Sequence, residues 1–115
     1  MTALHIQLGR LKQLVGQEEE QWRPFLLDFA QELQQMQAAL KSAKINNNWS
    51  KISQLLHQLK SNLYLFGCLE AYQNAQDLEA FTQLKSPKMS LFTDSFQDFL
   101  SLLKCIELEA QNWPK

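Results

Sequence analysis

The chain is 115 residues long, a size for one domain, with 21 Leu and 15 Gln but one Val, four Ile, three Thr, three Gly and three Pro. Sheets favour β-branched residues and hairpins need Gly or Asn-Gly turns, so a mostly β or α/β fold is excluded and an all-α fold is expected. Eleven Lys plus Arg against twelve Asp plus Glu leave a formal charge of −1, without the basic surplus of a dedicated nucleic-acid binder.

Leu4, Leu8, Leu11 and Val15 recur at helical spacing, which predicts a short helix from Thr2 to Val15 stopped by Gly16. The acidic run Glu18-Glu19-Glu20 suits the start of a second helix. Pro24 sits near that start, or kinks the helix if it begins at Glu18. Leu26, Phe29, Leu33, Met36, Leu40 and Ala43 then follow the three-four alternation of a bundle seam. Ile45-Asn46-Asn47-Asn48 is the clearest loop. Trp49, Ile52, Leu56, Leu59, Leu63 and Phe66 repeat the seam up to Gly67. A helix with a weaker stripe (Cys68, Ala71, Tyr72, Ala75, Leu78, Thr82) is predicted from Cys68 to about Leu84. Lys85-Ser86-Pro87-Lys88 breaks the chain again. The last segment is the most regular, with Phe92, Phe96, Phe99, Leu103, Ile106, Ala110 and Trp113. Its aromatic stripe is expected in the core rather than in a ligand cage.

Four long amphipathic segments with short connections must be antiparallel neighbours. The predicted architecture is an antiparallel up-down-up-down four-helix bundle with a short additional N-terminal helix packed across one end, one domain over residues 1–115. Gly67 and Pro87 interrupt the continuous rod that a long coiled coil would need. Trp22 and Trp113 are expected to cap the two ends of the core or to leave an apolar patch for a partner. No run of about 18 apolar residues is present, so no membrane span is expected. The segment Met1 to Arg10 lacks a signal-peptide pattern. Cys68 and Cys105 lack metal-ligand spacing and read as reduced, core or half-buried thiols. A cytoplasmic, monomeric protein is the expectation. The initiating methionine and the end at Trp113-Pro114-Lys115 favour a free-standing chain.

The two histidines, His5 and His57, differ in their relation to the seams. With Ile52 set at zero and about 100° per residue, Leu55, Leu56, Leu59, Leu63 and Phe66 fall within roughly 60° of it, and His57 lies near 140°. Lys60 (about 80°), Tyr64 (about 120°) and Ser61 (about 180°) share the same flank. The core pattern therefore turns His57 outward, one turn from a lysine and a small residue. An exposed helical histidine ordinarily carries no function. No carboxylates complete a metal set around it, and no nucleophile in a strained turn accompanies it.

The surrounding string is what raises His57 above that background: His57-Gln58-Leu59-Lys60-Ser61, then Gly67, then Leu78-Glu79. It resembles the signature of histidine phosphotransfer (HPt) domains, His-x-Leu-Lys-Gly with a later Gly at the interhelix turn and a closing Leu-Glu or Leu-Gln. Trp49 and the polar loop before it resemble the family's approach to this helix. Recognisable motifs span roughly Leu11 to Glu79. Ser61 stands where the commonest motif has Gly, and Tyr64 where the family usually has a small residue.

The resemblance implies a phosphocarrier of a two-component phosphorelay without an ATP site, not an enzyme in its own right. His57 would accept a phosphoryl group from a receiver-domain aspartate and pass it to another receiver. A neutral imidazole has the lone pair for in-line attack on phosphorus. Lys60 would offset the phosphoryl charge. Gln54, Gln58, Ser61, Tyr64 and Glu79 would form the partner-binding surface. Glu79 either steadies the histidine ring or is a solvated helix charge, and Tyr64 either contacts the partner or covers the bundle edge. The chain would need no cofactor of its own, with Mg²⁺ on the receiver. Its partners would be response-regulator receivers or a hybrid sensor histidine kinase, with no nucleic acid and no membrane. The competing reading is a transfer-inactive bundle of the same shape that binds and regulates a receiver or kinase.

Overall fold

The computed structural model describes residues 4–84 and 89–113. Five helices follow in order: α1 (Gly9–Val15), α2 (Glu19–Ile45), α3 (Trp49–Leu65), α4 (Leu69–Thr82) and α5 (Met89–Gln111). Among the described residues there is no strand, and no helix is long and apolar enough to cross a membrane. The fold is the expected all-α bundle. Helices α2 to α5 close a ring, α2 on α3, α3 on α4, α4 on α5 and α5 back on α2. The predicted break at Lys85 to Lys88 lies outside the described residues.

The connections are short because the helix ends supply their own caps. At the end of α2, Asn47 takes the left-handed conformation (φ 52°), and Asn48 N–H donates to Ala43 C=O at 2.9 Å. That is the αL-capped helix end for which Asn is the usual substitute for Gly. The Asn48 side chain then accepts Lys51 N–H and starts α3. The end of α3 repeats the pattern, with Gly67 at φ 69° and Cys68 N–H donating to Leu63 C=O at 2.8 Å. At α2 the Gln21 side chain accepts Glu18 N–H, closing its first turn. Pro24 lies inside α2, which continues through it with one backbone donor fewer.

The seam residues form one connected core. Leu26, Leu33, Leu40, Ile52, Leu56, Leu59, Leu63, Phe92, Leu103 and Ile106 are each 0 % exposed. Phe29 stacks on Phe66 with ring centroids 4.0 Å apart. At the other end Phe92 meets Trp49, Phe81 and Phe96.

The structure departs from the sequence-based expectations at four points. The helix predicted over Thr2 to Val15 is shorter, because Glu109 on α5 captures the backbone ahead of it: its carboxylate accepts the N–H groups of His5 and Ile6 at 2.6 and 2.8 Å. Residues 4–8 therefore run as an irregular strap that buries Ile6 and Leu8, and among the described residues of that stretch only Gly9–Val15 is helical; the predicted start at Thr2 lies outside the described residues. Trp22 and Trp113 lie at the same end, since α2 and α5 are antiparallel and Arg23 bridges them, its guanidinium over the Trp22 ring and bonded to Trp113 C=O. Cys105 is exposed rather than half-buried, on the outer face of α5, whereas Cys68 is in the core. Lys60, which the helical wheel sets on the outward flank with His57, is largely covered.

Gly67 carries a second demand beyond its φ. A Cβ there would lie 2.7 Å from both the Cβ and the carbonyl oxygen of Gln7, whose N–H donates to Phe66 C=O. Gly67→Ala is expected to cost about 2 kcal/mol, lowering the melting temperature by roughly 8 °C. Faster amide exchange at Gln7 would show the strap loosening first, and an unchanged melt would show that the strap yields freely.

Candidate functional site

On α3 the burial of Ile52, Leu55, Leu56, Leu59 and Leu63 fixes the rotation of the helix. Gln54, His57, Gln58, Ser61 and Tyr64 consequently lie on its exposed face. The His57 side chain is 74 % exposed. The Ser61 hydroxyl turns back to donate to Gln58 C=O.

The turn at Gly67-Cys68 explains why Glu79 belongs to this site. In an antiparallel hairpin centred on residue 68, positions equally far before and after the centre face each other. Three contacts obey that register: Tyr64 with Tyr72, His57 with Glu79 and Ser53 with Gln83. The spacing from His57 to Gly67 to Glu79 is thus the geometry of two helices folded back at one turn.

Glu79 holds two partners at once. Its Oε1 lies 2.7 Å from Lys60 Nζ and its Oε2 lies 3.3 Å from His57 Nδ1. Oε1 is closed off from water, and the lysine meets it as an ion pair without hydrogen-bond alignment. The Lys60 side chain is only 19 % exposed, its stem lying along the α3–α4 seam. Glu79 therefore makes specific contacts rather than standing as a solvated charge.

His57 stands on a ridge between two open grooves. One is bordered by Trp49, Ser53, Gln54, Glu79, Thr82 and Gln83, the other by Gln58, Lys60, Ser61, Tyr64 and Tyr72. At the far edge of the second groove Arg10, from α1, lies over the Tyr64 ring with 4.1 Å to its centroid. Tyr72 meets the same ring at 5.6 Å. Sequence reasoning missed Arg10, Tyr72, Ser53 and Gln83. The hairpin register would have found the last three; nothing local in the sequence marks Arg10.

His5 and Cys68 are unsuited to the same role. The His5 ring Nδ1 is 3.0 Å from Glu109 Oε2 and its side chain is 26 % exposed, so this histidine clasps the N-terminal strap. Burial, with the Glu109 charge adding to it, pushes the Cys68 thiol up to about 12, keeping it protonated and inert. Among the described residues no group of three or more His, Cys, Asp or Glu side chains is placed to hold a metal ion.

The motif resemblance implied an exposed histidine beside a lysine; in the structure both also lie against one carboxylate, Glu79, across the helical hairpin. The family model of the Hpt domain matches residues 20–111. The chain belongs to the Hpt domain family. Hpt domains are phosphocarrier modules of phosphorelays and interact with receiver domains and kinases there, which gives this chain a phosphotransfer role. Neither a curated protein nor a solved structure matches it. The strap and α1, which carries Arg10, precede the matched region.

Proposed function

We propose that His57 is the phosphoryl acceptor, taking the group from the aspartyl phosphate of one receiver domain and delivering it to another. The observation that carries this reading is the exposed His57 ring with Nδ1 facing Glu79 Oε2 at 3.3 Å. A carboxylate beside Nδ1 favours the tautomer protonated there, which keeps the lone pair on Nε2. That lone pair attacks phosphorus in line. The N–P bond forms while the P–O bond to the receiver's aspartate breaks, and the carboxylate leaves with the electron pair. The ring, still protonated on Nδ1, becomes cationic, and Glu79 offsets that charge. Transfer to the next receiver runs the same step backwards and restores the neutral imidazole.

Lys60 supplies the second electrostatic element. In the unphosphorylated chain its ammonium is held by Glu79, one helical turn from His57. A phosphoryl group on Nε2 introduces a competing anion, and the long lysine stem lets Nζ share its charge between the two. Gln54, Gln58, Ser61 and Tyr64 form the surrounding partner surface, with Ser61 small enough for close approach. Mg²⁺ and the acidic pocket that holds it are assigned to the receiver.

Lys60→Ala and Glu79→Ala are each expected to slow receiver-to-His57 transfer about tenfold, or ~1.4 kcal/mol in the barrier, without abolishing it. Stopped-flow transfer from a phosphorylated receiver measures this, with circular dichroism to confirm an intact bundle. Full-rate transfer in both variants would remove Lys60 and Glu79 from the mechanism.

A further inference from the structure

We propose that Arg10, stacked on Tyr64, is a carboxylate receptor at the rim of the His57 surface, selecting receiver domains that present an acidic side chain at the matching edge of the contact. This rests on the assignment of His57 as phosphoryl acceptor. Arg10 is exposed, and among the described residues no carboxylate lies within ion-pair distance of it. Its position is nevertheless defined. The guanidinium lies over the Tyr64 ring at 4.1 Å, Nη1 reaches Tyr64 C=O at 3.5 Å, and Tyr72 braces the ring from α4 at 5.6 Å. Stacking uses the face of the guanidinium and leaves in-plane N–H donors free, the fork that a carboxylate accepts in bidentate fashion. Little side-chain entropy remains to be lost when such a pre-placed cation binds.

The distance from the reacting atom decides what the cation is for. Tyr64 follows His57 by seven residues, about 10 Å along the helix axis, so Arg10 is too far away to neutralise the phosphoryl group. It is close enough to lie inside the footprint of a docked domain, since a standard interface of about 800 Å² per partner has a radius of roughly 16 Å. The groove bordered by His57, Gln58, Lys60, Ser61, Tyr64 and Tyr72 joins the two points in one surface. Rim charges of this kind act mainly on association rate and on the choice of partner. Arg10 stands on α1, outside the matched Hpt region.

The test compares wild type, Arg10→Ala and Arg10→Glu with two kinds of phosphodonor: phosphoramidate, and a set of purified receiver domains phosphorylated with acetyl phosphate. Uptake from phosphoramidate is expected to be equal in all three, since no docking is involved. Second-order transfer from the fastest receiver is expected to fall about tenfold in Arg10→Glu and less in Arg10→Ala, with the gap closing near 0.5 M salt. An Asp or Glu to Lys change at the receiver's contact edge should restore transfer to Arg10→Glu. Equal receiver transfer by wild type and Arg10→Glu, or an equal loss with phosphoramidate, would overturn the proposal. Absence of label on the wild type from either donor would instead overturn the His57 assignment.

Discussion

Replacing His57 with Gln is expected to abolish phosphate uptake and leave the bundle folded. Transfer needs a ring nitrogen lone pair, which the Gln amide lacks, so labelling from a phosphorylated receiver should fall below about 1 % of wild type. Folding does not need that ring. His57 is 74 % exposed, and Gln is the better helix former, so stability should stay within about 0.5 kcal/mol. The wild-type label should be acid-labile, as a P–N bond is. His5→Gln should retain it, because that ring is engaged with Glu109. Equal, acid-labile labelling of wild type and His57→Gln would place the acceptor elsewhere. A receiver that binds without giving up its phosphate would support the regulatory reading of the bundle.

Phe92→Ala is expected to cause the largest loss of stability. Phe92 is fully buried near the start of α5, and its ring packs against Trp49 at 4.9 Å, Phe81 at 5.2 Å and Phe96 at 5.4 Å. It therefore ties α3, α4 and α5 together at one end of the bundle. Truncation removes the transfer energy and leaves a cavity between three helices, a cost of roughly 3–5 kcal/mol. Small domains have only about 5–15 kcal/mol of net stability, so the melting temperature should drop by roughly 10–20 °C. Phe92→Leu should recover about half of that. A drop of less than about 4 °C in Phe92→Ala would mean that this end is loosely packed.

How far the chain could be read in advance follows from the range of the forces involved. The seams of α2, α3 and α5 were legible because burial of one helix face is a local, periodic demand. The outward placement of His57 followed from the same periodicity. Residues 4–8 were not legible, because Leu4 and Leu8 fit a helical pattern that Glu109, more than a hundred residues away in the chain, overrides by capturing backbone N–H groups. The role of Lys60 was half legible: its flank was correct, but its pairing with Glu79 depends on α4 folding back at Gly67. Arg10 left no local trace, since its partner Tyr64 lies on a different helix.

The most direct measurement is long-range ¹H–¹⁵N correlation spectroscopy on the histidine rings after phosphorylation by a receiver. The assignment predicts a single phosphorylated ring, that of His57, modified at Nε2 and with its proton retained on Nδ1 facing Glu79. Phosphorylation at Nδ1, modification of the His5 ring, or no change in the His57 ring while the chain carries phosphate would contradict it.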